Sequence, residues 1–123
     1  IASILALGLV TLSQAASAAD AKNGKAVFDK LCVICHAVSN APGGPVTGPS
    51  LVNVVGRKAA SVPGFALYSP ALKASKLTWD VKTLDEFLTM PMKKVPGTMM
   101  PMMIPDPKER GDVIAYLGTL KGK

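Results

Sequence analysis

The stretch Cys32-Val33-Ile34-Cys35-His36 holds both cysteines and the only histidine of this 123-residue chain. Its two thiols stand three positions apart, and the histidine directly follows the second thiol. Thiols in this C-x-x-C-H pattern add to the two vinyl groups of one porphyrin, and the adjacent histidine then reaches the iron from the same face. The stretch therefore predicts one covalently attached haem c, with Cys32 and Cys35 as attachment points and His36 as an iron ligand.

Three other uses of paired cysteines fit the rest of the sequence less well. A thioredoxin-like dithiol needs a strand–helix–strand setting, which the sequence lacks. A plain disulfide would leave two long segments rich in Pro and Gly, residues 37–68 and 90–105, with nothing to wrap. A zinc site would need further Cys or His ligands, and the chain has none.

The composition excludes several classes of protein. A length of 123 residues fits one domain and excludes a large multidomain enzyme. Two Cys and one His cannot build a Cys2His2 zinc finger or a disulfide-dense scaffold. The net charge of +6 arises from 14 Lys and Arg against 8 Asp and Glu. No nucleic-acid-binding motif accompanies this charge, so we expect no nucleic-acid partner.

The beginning of the sequence is typical of an export signal. Residues 1–18 carry no charged side chain, contain an apolar run over residues 4–12, and end in the small-x-small pattern Ala16-Ser17-Ala18. We interpret residues 1–18 as an N-terminally incomplete signal peptide and residues 19–123 as the folded domain. The alternative is an uncleaved membrane anchor, for which the apolar run is short. The expected location is the periplasm or another extracytoplasmic space.

The remaining chain predicts an all-α domain. Apolar residues recur with helical spacing in three main segments, over residues 20–31, 80–90 and 106–120. The last has the clearest start, because Asp106 is a favourable N-cap and Pro107 suits the first helical position. A short helix is predicted over residues 69–75, and no alternation long enough for a strand is present. So small a domain with such long loops needs a large apolar object for the loops to wrap.

All six methionines lie between residues 90 and 103. A single Met usually fills a gap in a core, but this concentration favours a role for the thioethers. A thioether is a soft, neutral ligand, and its ligation raises the potential of haem iron. One interpretation is that the cluster supplies the sixth iron ligand, and the other is that it captures Cu(I).

A series of further motifs runs along the chain in a fixed order. They are N-G-K at 23–25 with Phe28, CVICH at 32–36, T-G-P-S-L at 47–51, V-G-R-K at 55–58, P-G-F at 63–65, L-T-W at 77–79, P-G-T-M-M at 96–100 and V-I-A-Y-L at 113–117. In this order the sequence resembles class I cytochrome c, especially its mitochondrial-like branch, over nearly all of residues 20–120. The resemblance implies a small monohaem fold over residues 19–123, with three main helices, a short one and long loops around the haem. It also implies that Gly24 lets the first helix cross the last.

On the distal side of the haem, the resemblance implies that Met100 is the sixth ligand, because it closes the P-G-T-x-M segment. Met102 and Met103 are fallbacks, since the loop after Met100 is slightly shorter than in the mitochondrial pattern.

Elsewhere in the site, the resemblance implies hydrogen-bonding roles. The Pro49 carbonyl would accept the Nδ1–H of His36, which fixes the imidazole tautomer. Arg57 and the indole N–H of Trp79 would stabilise a buried haem propionate, because a charge that leaves water needs donors.

Two aromatic positions depart from the family pattern. The Tyr that usually follows the P-G-F segment is Leu67 here, so one propionate donor is missing. The neighbouring Tyr68 could replace it, but the sequence leaves the direction of its side chain open. The Tyr that usually bonds near the axial sulfur is Phe87.

The implied function is single-electron transfer through one haem with His36 and Met100 as axial ligands. A fully ligated iron has no site for a substrate, so an electron-transfer protein is expected rather than an enzyme. The alternative is a small haem enzyme or a gas sensor whose sixth iron position is open or weakly ligated.

Lysines match the positions that ring the haem edge in the family, and they are Lys25, Lys30, Lys93 and Lys94. A positive rim steers association with acidic redox partners. The expected partners are a terminal oxidase, a cytochrome bc1-type reductase or a periplasmic dehydrogenase. The chain is expected to act as a monomer with only peripheral membrane contact.

Overall fold

The computed structural model describes residues 18–42 and 47–122, and these ranges contain five helices. They are α1 (Ala21–Leu31), α2 (Pro70–Ser75), α3 (Val81–Thr89), α4 (Pro91–Lys94) and α5 (Pro107–Thr119). Four of them match the predicted helices, and α4 lies in a segment that we expected to be a loop. Extended pairing in the described ranges is limited to one isolated bridge between Lys58 and Thr78.

Aspartates begin the three longer helices. The Asp20 carboxylate accepts hydrogen bonds from the first backbone N–H groups of α1, at 2.9 Å from Lys22 and 3.2 Å from Asn23. Asp80 caps α3 and Asp106 caps α5 in the same way. These side chains satisfy N–H groups that have no partner inside the helix, so the helix starts are encoded locally.

Helices α1 and α5 cross in direct backbone contact at Gly24. A Cβ atom at this position would lie 1.9 Å from the backbone oxygen of Asp112, so only glycine allows the crossing. Phe28 and Val113 are buried beside this point. The Phe28 ring packs against the ring of Tyr116, with a distance of 5.4 Å between the ring centroids. The crossing predicted from the sequence is therefore present.

The same crossing is joined by the buried carboxylate of Asp112. This carboxylate accepts hydrogen bonds from Lys108 Nζ at 2.7 Å, from the backbone N–H of Asp20 at 2.7 Å and from Asn23 Nδ2 at 2.6 Å. These hydrogen bonds, that of Lys108 foremost, lower the pKa of Asp112 to about 2. The start of α1 is thus held to α5 by polar contacts as well as by apolar packing.

Arg110 of α5 anchors the irregular segment that precedes its helix. Its Nη1 donates to the backbone oxygens of Ile104 and Pro105, each at 3.0 Å, and its Nε donates to Asp85 of α3 at 2.7 Å. The Ile104 backbone N–H donates in turn to Leu88 O at 2.8 Å. The segment that carries the methionines is therefore fixed to α3 at its C-terminal end.

Among the helices of the described residues, none combines the length and the apolar composition needed to span a bilayer. The predicted signal peptide at residues 1–18 falls, except for Ala18, outside the described residues. It stays a prediction.

Candidate functional site

Seven residues that the sequence assigns to cofactor binding line one cavity of about 230 Å³, whereas the fallback ligand Met103 does not. These residues are Cys32, Cys35, His36, Pro49, Arg57, Trp79 and Met100. Apolar side chains supply much of the remaining wall, among them Leu51, Phe65, Leu84, Phe87 and Leu88. The fold thus brings together side chains that stand far apart in the sequence.

The two cysteines lie on a tight turn at the end of α1. Cys32 O accepts hydrogen bonds from the backbone N–H groups of Cys35 at 3.1 Å and His36 at 3.0 Å. The two sulfurs are not bonded to each other. Burial and the neighbouring Cys35 raise the pKa of Cys32 to about 11, so this sulfur stays a thiol at neutral pH. A redox dithiol needs a lowered pKa on its attacking thiol, which argues against Cys32 in that role.

The imidazole of His36 is held in one orientation by the segment that follows it. Its Nδ1 lies 2.7 Å from Pro49 O. A carbonyl only accepts, so Nδ1 carries the proton and Nε2 keeps its lone pair. Burial lowers the pKa of His36, which keeps the ring neutral at pH 7. A Cβ on Gly48 would lie 2.5 Å from His36 Cε1, so this glycine lets the backbone pass close over the ring.

Arg57 is fixed by backbone carbonyls at the edge of the cavity. Its Nη1 donates to Val52 O at 2.7 Å and its Nη2 donates to Ser50 O at 3.0 Å. Burial lowers the pKa of Arg57, but a guanidinium stays charged at neutral pH. The Trp79 backbone N–H donates to Arg57 O at 2.8 Å, so the two residues are positioned together.

The structure resolves the direction of the aromatic side chain that the sequence left open. Tyr68 lines the cavity, and its hydroxyl oxygen accepts a hydrogen bond from Val62 N at 3.1 Å. The hydroxyl proton is then available for a second group. Leu67 is 58% exposed. Phe87, the other departure from the family pattern, packs edge-on against Trp79 with a centroid distance of 4.9 Å.

The methionines divide into those that line the cavity and those that do not. Met100 and Met102 line it and are half-buried, and Met99 lines it while 75% exposed. Met103 is 50% exposed and is not part of the lining. Hydrogen bonds from Thr98 N to Val95 O at 2.9 Å and from Ile104 N to Leu88 O at 2.8 Å hold the two ends of this segment.

Two of the four lysines expected at the rim are paired with carboxylates. Lys25 Nζ lies 2.6 Å from Asp29 Oδ2, and Lys94 forms an ion pair with Glu86. Lys30 and Lys93 are exposed. The positive charge that these four side chains present is therefore less uniform than the sequence suggested.

The donor set of the cavity fits a haem. Two thiols stand beside an imidazole with a free Nε2, a thioether lies on the same cavity, and the remaining wall is mostly apolar. A porphyrin needs an apolar wall for its ring, and its iron binds imidazole nitrogen and thioether sulfur.

The comparisons with known proteins agree with this chemistry. The family model described as Cytochrome c matches residues 21–121. The chain belongs to the cytochrome c family. Cytochrome c2 of Rhodomicrobium vannielii is 47% identical over 116 residues, which cover 94% of this chain and 90% of that protein. Cytochrome c of Euglena viridis is 44% identical over 103 residues, or 83% of this chain and 98% of that protein.

A solved structure shares the fold. Cytochrome cH from Methylobacterium extorquens superposes with a TM-score of 0.72 at 44% identity, covering 81% of this chain and 98% of that one. The predicted all-α cytochrome c fold, the haem c cofactor and the role of electron carrier rather than enzyme are confirmed by membership of this family.

The sequence does not identify Gly48 as a site residue, and it leaves the direction of the Tyr68 side chain open. The family's tyrosine position is Leu67 here, and only the fold shows that the neighbouring Tyr68 lines the cavity. Gly48 was noted only as part of T-G-P-S-L. Its place directly before the proline that faces His36 is the signal that could have identified it.

Proposed function

We propose that this chain carries single electrons between redox partners in the periplasm, with His36 and Met100 as axial ligands in both oxidation states. The observation that carries the proposal is the hydrogen bond from His36 Nδ1 to Pro49 O, which leaves the lone pair of Nε2 free to bind iron, on a cavity that Met100 also lines. Haem iron, when bound, supplies the one-electron couple. The tasks of the chain are to hold the iron, exclude water and present one edge to partners.

Covalent attachment is assigned to Cys32 and Cys35. The turn in which Cys32 O accepts from both following N–H groups sets the two thiols and His36 on one short stretch. Their attachment to one porphyrin would hold the ring against His36, so ligand and ring cannot separate during electron transfer.

Met100 is assigned as the distal ligand. It is half-buried on the cavity, and the segment around it is held at Thr98 and at Ile104. A segment fixed at both ends would keep the thioether in place when the charge of the iron changes. The structural reorganisation that accompanies each electron transfer would then be small. A neutral sulfur in an apolar wall favours the reduced, less charged iron.

The haem propionates are assigned to Arg57, Trp79 and Tyr68. Arg57 is held by two backbone carbonyls, and the Tyr68 hydroxyl keeps its proton free because it accepts from Val62 N. Each of the three side chains lines the cavity. Donors fixed in this way offset the cost of removing a carboxylate from water.

Association with acidic redox partners is assigned to the four lysines that match the family's haem-edge positions. Since Lys25 and Lys94 are paired with carboxylates, the steering charge falls mainly on Lys30 and Lys93. A terminal oxidase, a cytochrome bc1-type reductase and a periplasmic dehydrogenase remain the proposed partners of a monomeric chain. Residues 1–18 are proposed to direct export, with residues 19–123 as the working domain.

The ligand assignment is tested with three alanine variants of the holoprotein. Met100→Ala is expected to abolish the weak red absorption band that Met–iron ligation gives the oxidised protein, and to let the reduced protein bind CO rapidly. Met102→Ala and Met103→Ala are the matched controls and should keep the band. A Met100→Ala protein that keeps it would contradict the assignment. Rapid CO binding by the unsubstituted protein would favour the gas sensor or haem enzyme instead.

The steering role is tested by ionic strength. Raising salt from about 10 mM to about 200 mM shortens the screening length from about 30 Å to below 10 Å. Transfer to an acidic partner should slow sharply, and charge removal by Lys30→Gln and Lys93→Gln should flatten this dependence more than Lys25→Gln. A rate that does not change with salt would contradict steering.

A further inference from the structure

The methionine-rich segment alternates between exposed and half-buried residues. Met99, Pro101 and Met103 are exposed, whereas Met100 and Met102 are half-buried on the cavity. This period of two is that of an extended chain, in which successive side chains point to opposite sides. The segment therefore turns Met100 and Met102 to the cavity and Met103 to water, whereas Met99 is exposed to water and also borders the cavity.

Met99 is the most exposed of these sulfur-bearing side chains. It is 75% exposed and also lines the cavity, so it lies at the mouth. It immediately precedes Met100 in the chain. A small oxidant that approaches the cavity from water reaches the Met99 side chain more readily than that of Met100.

Thioethers react directly with peroxides. Sulfur donates an electron pair to one peroxide oxygen, an S–O bond forms as the O–O bond breaks, and the products are methionine sulfoxide and water. Sulfur is oxidised by two electrons and the peroxide is reduced by two. The reaction needs access to the sulfur, so exposed methionines react first.

The consequences of oxidation differ between the two neighbours. A sulfoxide on Met99 would project into water and disturb no core packing, since Met99 is not part of the buried cluster. Met100 packs against that cluster, so a sulfoxide there would place a polar S–O group in an apolar wall and alter the ligating sulfur. We infer that Met99 is a sacrificial oxidation site that consumes peroxide at the cavity mouth before Met100 reacts. The protective part of this inference rests on the proposed ligation by Met100.

The order of oxidation is measured on the oxidised holoprotein. One molar equivalent of hydrogen peroxide is added, the reaction is stopped with catalase, and sulfoxide is located by peptide mass mapping. A limiting amount is essential, because one methionine spares another only when they compete for a scarce oxidant. We expect at least about fivefold more sulfoxide on Met99 than on Met100. Equal or greater oxidation of Met100 would overturn the inference.

Two variants separate protection from simple exposure. Met99→Leu should increase the Met100 sulfoxide and hasten the loss of the red absorption band at one equivalent of peroxide. Met103→Leu removes an outward sulfur that is not part of the cavity lining, and should have a smaller effect. If Met99→Leu leaves the loss of the band unchanged, protection is refuted. Absence of the band from the untreated protein would instead overturn ligation by Met100, while mass mapping still reports the order of oxidation.

Discussion

Replacement of Gly24 by Ala tests the crossing of α1 and α5, two helices that both contribute side chains to the cavity wall. The added Cβ would lie 1.9 Å from Asp112 O and 2.4 Å from Asp112 C, and both of these are backbone atoms. No rotamer change can relieve such a contact, because neither the Cβ nor the carbonyl belongs to a flexible side chain. The two helices must move apart.

The size of the effect follows from the required movement. Ordinary contact begins near 3.4 Å, so a gap of 1.9 Å must widen by about 1.5 Å. This would loosen the packing of Phe28 and Val113, and overpacking of this kind costs about 3 kcal/mol. Alanine offsets about 1 kcal/mol of this loss, because its helix propensity is higher than that of glycine. The expected net loss is about 2 kcal/mol, or a fall of roughly 10 °C in Tm for a domain of this size.

The matched control lies on the partner helix. A Cβ on Gly111 of α5 meets nothing within 4 Å, so Gly111→Ala should show only the gain in helix propensity, about 1 kcal/mol. Both variants are purified as holoprotein and unfolded with guanidinium chloride, and helix content and haem absorbance are followed together. The two variants should differ by about 3 kcal/mol in the free energy of unfolding.

A Gly24→Ala protein as stable as Gly111→Ala would refute the reasoning. It would mean that the helices have room at this point, and that the close backbone approach does not constrain the fold. If Gly24→Ala instead changes the slope of the unfolding free energy against guanidinium chloride concentration, the substitution has altered the unfolded state.

Three further predictions concern the site and its support. Gly48→Ala should displace the His36 ring, since the added Cβ would lie 2.5 Å from Cε1; we expect a loss of about 1–3 kcal/mol and a shifted reduction potential, measured by denaturation and redox titration. Asp112→Asn should destabilise the protein at pH 7. Because the pKa of Asp112 is lowered from 3.8 to about 2 in the folded protein, the ionised carboxylate stabilises the fold only above this range. The difference in unfolding free energy between the variant and the unsubstituted protein should therefore shrink as the pH falls from about 4 towards 2. If the difference stays constant over that range, the carboxylate charge is not the cause. Tyr68→Phe should cost about 1 kcal/mol by leaving the N–H of Val62 without its acceptor, and should change the reduction potential, whereas an unchanged potential would argue against its contact with a propionate.

The helices show how far local sequence determines structure. Asp20, Asp80 and Asp106 cap helices through contacts within a few residues, so these starts were predicted correctly. Helix α4 (Pro91–Lys94) was missed, because four residues are too few for a periodic apolar pattern and Met90 makes no side-chain cap. Its formation depends on the turn at the end of α3, where Met90 O accepts from Lys93 N at 3.1 Å.

The lining of the site shows where local reasoning stops. The direction of Tyr68 and the exposure of Leu67 depend on how the 61–69 region folds back on the cavity, which no local pattern reports. The pairing of Lys94 with Glu86 likewise depends on the packing of α4 beside α3. These contacts join segments whose approach is set by the whole core.

The sequence by itself determined the chemistry available to this protein. Two thiols and an imidazole within five residues constrain one another through the backbone, whatever the rest of the chain does. Only the tertiary structure decided which methionine sulfurs meet the cavity and which meet water, and which polar groups share its wall. The physical reason is that covalent spacing acts along the chain, whereas burial is a property of surfaces brought together from distant parts of it.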